Sequence, residues 1–117
     1  MKIKTASKAF TETNAVRALS ALAQATRLRI FRVLMIAGAD GLPAGVLAST
    51  LDIAPSALSF HLKELTHAGL IQARQDGRFI IYTANFNEMN ALIAYMTENC
   101  CQGSESSCNI EFKTKKM

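Results

Sequence analysis

The stretch APSALSFHLKELTHAGL, residues 54–70, decides the fold. Pro55 suits the first turn of a helix, where its missing N–H would have had no partner. Leu58, Leu62 and Leu65 recur at i, i+4 and i+7 and form one apolar stripe. Gly69 ends the segment. The opposite face carries Ser56, Ser59, Phe60 and Lys63. The spacing therefore predicts an amphipathic helix with a largely polar outer face. Two β-rich runs follow, Leu70–Arg74 and Phe79–Ala84, flanking Gln75-Asp76-Gly77-Arg78. Asp-Gly is a strong hairpin signal.

Toward the N-terminus, residues 12–23 carry Val16, Leu19, Leu22 and Ala23 at helical spacing, with Thr11 or Thr13 as the cap. Residues 25–37 place Leu28, Phe31, Leu34 and Met35 on one face and Arg27, Arg29 and Arg32 on the others. Those arginines read as a solvated face with one internal ion pair. Gly38 and Gly41 stop that helix. A short helix over 44–51 buries Val46, Leu47 and Leu51. Beyond the hairpin, residues 87–99 are helical, with Met89, Leu92, Ile93 and Met96 apolar and Asn85 or Asn87 as the cap. Two strands alone cannot build a sheet domain, so the hairpin reads as a wing on a helical core. The expected fold is mainly α with a β-hairpin wing, a winged helix-turn-helix over residues 1–99. Residues 100–117 form a polar, cysteine-containing tail.

The chain has 117 residues, half of them hydrophobic, and a formal charge of +4. One domain with one core is the expectation. The mild positive charge suits an anionic partner such as nucleic acid. The longest apolar stretch, residues 33–39, is far short of the roughly 20 residues a membrane span needs. No apolar run follows the N-terminal lysines, so a secretory signal is not expected and the cytoplasm is. Cysteines there stay reduced. All three lie after residue 99, as ligands or redox groups rather than as a framework of disulfides.

The segments ATRLRIFRVL, LDIAPSALSFHLKELTHAGLI and RQDGRFIIYTAN together resemble the ArsR/SmtB family of metalloregulatory repressors over roughly residues 15–97. Ser59-Phe60-His61-Leu62 is the most specific part. The resemblance implies a homodimer joined through its first and last helices. Each subunit would place one helix in a major groove of double-stranded operator DNA, with the wing on the adjacent backbone. Ser56 and Ser59 are short polar groups near the start of that helix, where base edges come within reach. Lys63, Arg74 and Arg78 would neutralise phosphates, with Gln72 and Gln75 adding hydrogen bonds. Phe60 would touch thymine methyls or pack on a neighbouring helix. His61 reads as a structural or phosphate-touching residue, not a metal ligand.

One familiar family site has cysteines on the helix before the recognition helix; the matching positions are Pro43, Gly45 and Ala48, which bind no metal. Another lies along the last helix and uses Asp, His and Glu pairs for zinc; here that helix offers only Glu88 and Glu98. The remaining donors are Cys100, Cys101 and Cys108, a set that selects soft thiophilic ions. Trivalent arsenic and antimony prefer three sulfurs in a pyramid. Arsenite, As(III), exchanges three hydroxyls for three thiols and releases three waters with no net proton. Neighbouring Cα atoms lie about 3.8 Å apart, below the roughly 4.4–6.8 Å window of an unstrained disulfide. A Cys100–Cys101 bond is therefore disfavoured. On a continuing helix adjacent side chains diverge by about 100°, so convergence on one ion requires unwinding near Asn99. The run Asn-Cys-Cys-Gln-Gly followed by a third cysteine is similar to arsenic-responsive members with C-terminal cysteine sites. That similarity implies arsenite as the inducer, with antimonite as the second candidate.

A thiol redox or persulfide sensor using the same cysteines is the alternative. An enzyme is not expected: a phosphatase-like arsenate reductase wants an arginine six residues after its cysteine, and no arginine follows Cys100 or Cys101. A winged helix that binds only protein is disfavoured by the serines and the wing arginines.

Overall fold

Thr11 starts the first helix. Its hydroxyl accepts from the Asn14 N–H at 3.2 Å, and the Asn14 side chain accepts from the Thr11 N–H at 2.8 Å. This reciprocal cap satisfies two otherwise unpaired donors. The computed structural model describes residues 9–103. Five helices are present among them: α1 (Glu12–Leu22), α2 (Ala25–Ala37), α3 (Ala44–Leu51), α4 (Pro55–His67) and α5 (Phe86–Thr97). Three strands, β1 (Leu42–Pro43), β2 (Ile71–Asp76) and β3 (Phe79–Ala84), form an antiparallel sheet in the order β1-β3-β2. The arrangement is a winged helix-turn-helix, as the sequence reading expected.

The core lies where α2, α3 and α4 meet the base of the wing. Ile30, Phe31, Leu34, Leu47, Leu58, Leu62, Leu65, Leu70 and Ile71 are all buried there, with Leu92 closing it from α5. The Leu58/Leu62/Leu65 stripe thus faces inward as its spacing required. On α1 the outcome differs from the sequence reading. Ala15, Ala18 and Ala21 face the core, while Val16 and Leu19 are exposed. Small side chains let α1 sit close on its neighbours, and its larger apolar groups are left on the outer side. Leu28 is likewise exposed, and Ile30 takes its place in the core.

The third strand was not read from sequence. It is two residues long and one of them is Pro43, which is tolerated because β1 is an edge strand. Gly41 leads into it with φ +68°. A Cβ at this position would strike the Tyr82 carbonyl oxygen and come within 2.6 Å of Thr83 Cγ2. Gly41→Ala is therefore expected to cost about 2–3 kcal/mol and to lower the melting temperature by about 10 °C or more. A thermal melt unchanged within about 2 °C would contradict this account of the turn.

The hairpin turn is also offset from the Asp-Gly reading. Asp76 pairs with Phe79, so the two loop residues are Gly77 and Arg78. Gly77 has φ +65° and Arg78 is not among the positive-φ residues, the combination of a type II′ turn with glycine first.

Asn85 caps α5 by accepting from the Glu88 N–H at 3.2 Å. Its side-chain amide also donates to the Gly69 carbonyl at 3.0 Å, and its own N–H donates to the Leu70 carbonyl at 2.8 Å. The start of the last helix is therefore pinned to the residues that leave α4. No helix among the described residues is long and apolar enough to cross a membrane.

Candidate nucleic-acid interface and thiol pair

Helix α4 buries one side and shows the other. Ser56, Ser59, Phe60 and Lys63 are all exposed on it, and His61 is half-buried. Ala54 begins the helix without a side-chain cap. The first-turn N–H groups beside Ser56 thus lack a side-chain acceptor at the positive end of the helix. This end suits a phosphate, and the serines beside it are short enough for base edges.

On the wing, Gln72, Arg74 and Arg78 are exposed. Arg78 occupies the turn itself. Arg74 is already engaged: its guanidinium donates to the Ala39 carbonyl at 3.4 Å and to the Asp40 carbonyl at 3.2 Å. Those carbonyls belong to the 3-10 turn after α2. Arg74 therefore holds the wing against that turn as well as carrying charge on the surface. The Gln75 amide donates to the Gly77 carbonyl at 3.2 Å and braces the hairpin tip.

Sequence reasoning placed Arg27 on a solvated face. The structure brings it to α4 instead. Arg27 Nε donates to His61 Nδ1 at 3.2 Å, and its guanidinium carbon lies 5.6 Å from the centre of the Phe60 ring. Phe60 and His61 meet edge-on at 5.8 Å. Arg27 and His61 are 34 positions apart, and no local pattern announces the pairing. Burial pushes the His61 pKa below 6.5, and the Arg27 charge pushes it the same way.

A histidine held neutral in the native state has a stability consequence. The unfolded chain binds the proton more readily, so stability from this residue is present above pH 6.5 and falls as pH drops below it. Denaturant melts between pH 7.5 and pH 5.5 are expected to show that loss, and His61→Asn should flatten it. An equally steep loss in His61→Asn would assign the slope to other groups.

The thiols lie at the far end of α5. The helix stops at Thr97, Glu98 is extended, and Asn99 and Cys101 adopt left-handed backbone with φ +58° and +56°. Cys100 is half-buried and Cys101 exposed, and their Sγ atoms are 3.7 Å apart. The unwinding expected near Asn99 is thus present, and it turns two adjacent sulfurs toward each other. Cys108 lies outside the described residues. Among those described, no group of three histidine, cysteine or acidic side chains is placed to hold a metal ion.

The fold, with an exposed polar helix flanked by a cationic wing, defines a winged-helix DNA-binding regulator. Residues 22–72 match the family model for a helix-turn-helix domain. The chain is 40% identical over 79 residues to a putative arsenical resistance operon repressor of Halobacterium salinarum, covering 68% of this chain and 60% of that one. It is 34% identical over 91 residues to the transcriptional activator HlyU of Vibrio cholerae, covering 78% of this chain and 82% of that one. The solved HlyU structure superposes with a TM-score of 0.60 at 35% identity, over 77% of this chain and 95% of that one. An ArsR-like transcriptional regulator from Rhodococcus sp. RHA1 gives a TM-score of 0.65 at 30% identity, over 74% of this chain and 78% of that one. The chain belongs to the ArsR family of winged-helix transcription regulators. It is a DNA-binding transcription regulator.

Proposed function

We propose that the chain is a homodimeric repressor whose hold on operator DNA is released by trivalent arsenic bound to Cys100, Cys101 and Cys108. The observation that carries this reading is the 3.7 Å approach of two sulfurs at the unwound end of α5. A bond from a thiophilic ion to sulfur is about 2.3 Å long, so sulfurs up to about 4.6 Å apart can share one ion. Two of three donors are therefore preset, and Cys108 supplies the third from the tail. Arsenite is the first choice, with antimonite second, because both accept three sulfurs. The Halobacterium relative, by its name, serves an arsenical resistance operon. HlyU is named an activator, so repression by this chain rests on the inducer reading, in which the ligand removes the protein from DNA.

DNA is read by Ser56, Ser59 and Phe60 of α4, with His61 at its edge. Lys63, Gln72, Arg74 and Arg78 hold the backbone. The dimer forms through α1 and α5, which pack on each other and carry exposed Val16, Leu19 and Met96. X-ray absorption on the arsenite-loaded protein is expected to show arsenic bonded to three sulfurs. A shell of oxygen or nitrogen alone would rule the site out.

The exposure of Cys101 beside a second sulfur favours one other reading. An oxidised or persulfidated Cys101 would be resolved by Cys108 or by a cysteine of a second subunit, because a bond to adjacent Cys100 is strained. Mass spectrometry after mild oxidant and after arsenite separates these: a disulfide or persulfide that alone releases DNA supports the redox sensor.

A further inference from the structure

We propose that Arg27 is a positioning residue of the DNA-reading surface, fixing Phe60 and His61 and thereby the way α4 presents Ser56, Ser59 and Lys63. The inference rests on the reading that α4 faces DNA. It concerns a residue outside that surface, on α2.

Arg27 is held at both ends. Its backbone N–H donates to the Gln24 side chain at 2.9 Å, which pins it in the first turn of α2. Its side chain then crosses to α4, where it makes a directional bond and a cation–π contact. Nε donates to His61 Nδ1, so the imidazole is neutral with its proton on Nε2. The guanidinium carbon lies over the Phe60 ring at 5.6 Å from its centre, and the Phe60 and His61 rings meet edge-on. Phe60 is 53% exposed. An exposed phenylalanine otherwise samples several rotamers, and on this face each one changes the space left between Ser56 and Lys63, its neighbours one turn away. The contact from Arg27 on α2 and the edge contact of His61 restrict those orientations. Arg27 itself also lines a cleft with Arg17 of α1 and with Glu64 and His67 of α4.

A guanidinium is suited to this task and an ammonium is not. Lysine keeps the charge and a weaker attraction to the ring, but lacks a planar Nε–H fork that stacks and donates at once. Arg27→Lys and Arg27→Met therefore separate geometry from charge.

The test uses two labelled duplexes, one selected from a random-sequence pool by the wild-type protein and one shuffled. Both variants are expected to bind the selected duplex roughly tenfold more weakly, with shuffled-duplex binding and melting temperature nearly unchanged. The slope of log affinity against log salt should move by much less than the 0.9 or so expected for one lost phosphate contact. In Arg27→Met the His61 ring is expected to titrate at higher pH by NMR, because a neighbouring cation has gone. Full affinity in Arg27→Lys, with a loss of about 0.9 in slope for Arg27→Met, would make Arg27 a phosphate contact and overturn the proposal. Wild-type specificity in both variants would also overturn it. If Arg27→Met does not fold, the specificity ratio of Arg27→Lys decides. A Ser59→Ala, Lys63→Ala double variant runs alongside. Undiminished binding there removes the α4 reading, and the Arg27 proposal with it. Weakened binding there with normal Arg27 variants removes only the latter.

Discussion

Replacing Cys100 and Cys101 together by serine is expected to leave duplex binding intact and to abolish its release by arsenite. The two side chains sit on a short 3-10 turn past α5 and outside the core, so the substitution removes no buried packing. Serine is nearly isosteric but offers a hard oxygen that does not replace sulfur at a soft centre. In the wild type, saturating arsenite should weaken duplex binding by about 5–150-fold, the usual range for coupling between two sites. In the double variant the change should be less than about twofold, since the single remaining thiol of Cys108 cannot fill a three-sulfur pyramid. Cys108→Ser alone tests the third donor: partial retention would indicate a two-sulfur site. The physical route is short. Ligation at the end of α5 would move a helix whose start is bound through Asn85 to the Gly69 and Leu70 carbonyls, immediately after α4. A double variant still released by arsenite as fully as the wild type would end the mechanism.

Much of the scaffold was legible in the sequence because its signals are local. Pro55 and the leucine stripe of α4 gave that helix its ends and its buried face. The glycines after Ala37 stopped α2, and the β-rich runs on either side of Asp76-Gly77 marked the hairpin. The failures share a different cause. Strand β1 has two residues, too few for any periodicity, and is specified by its pairing with Tyr82 and Ile81. Helix α1 has large and small apolar residues on different sides, and periodicity alone does not say which side meets the core. The contact between Arg27 and the Phe60–His61 pair spans two helices and arises only from their packing. At the thiol end, the need for unwinding followed from helical geometry, but the left-handed turn at Asn99 that meets it was not visible.

Placing aspartate at Val16 and Met96 is expected to yield a folded monomer that has lost most of its operator affinity. In the single chain Val16 is 56% exposed and Met96 59% exposed. A carboxylate at either position stays solvated, so the fold should lose little. The same carboxylates buried in an α1–α5 interface would meet apolar surface with no partner, a cost of several kcal/mol per ion. Dimerisation should therefore fail while circular dichroism and the monomer's core remain. The loss on DNA is larger than the lost contacts suggest. A dimer places its second recognition helix at the neighbouring half-site as an intramolecular event, which adds about 10²–10⁴ in affinity without any new chemistry. A monomer loses that factor whole. Sedimentation velocity and binding to a two-half-site duplex read the two effects separately, and a half-site duplex should bind wild type and variant nearly alike. Should the variant still sediment as a dimer, the subunits meet elsewhere. Arsenite acting on the end of α5 would then have no interface to disturb, and release would have to run through Asn85 within one subunit.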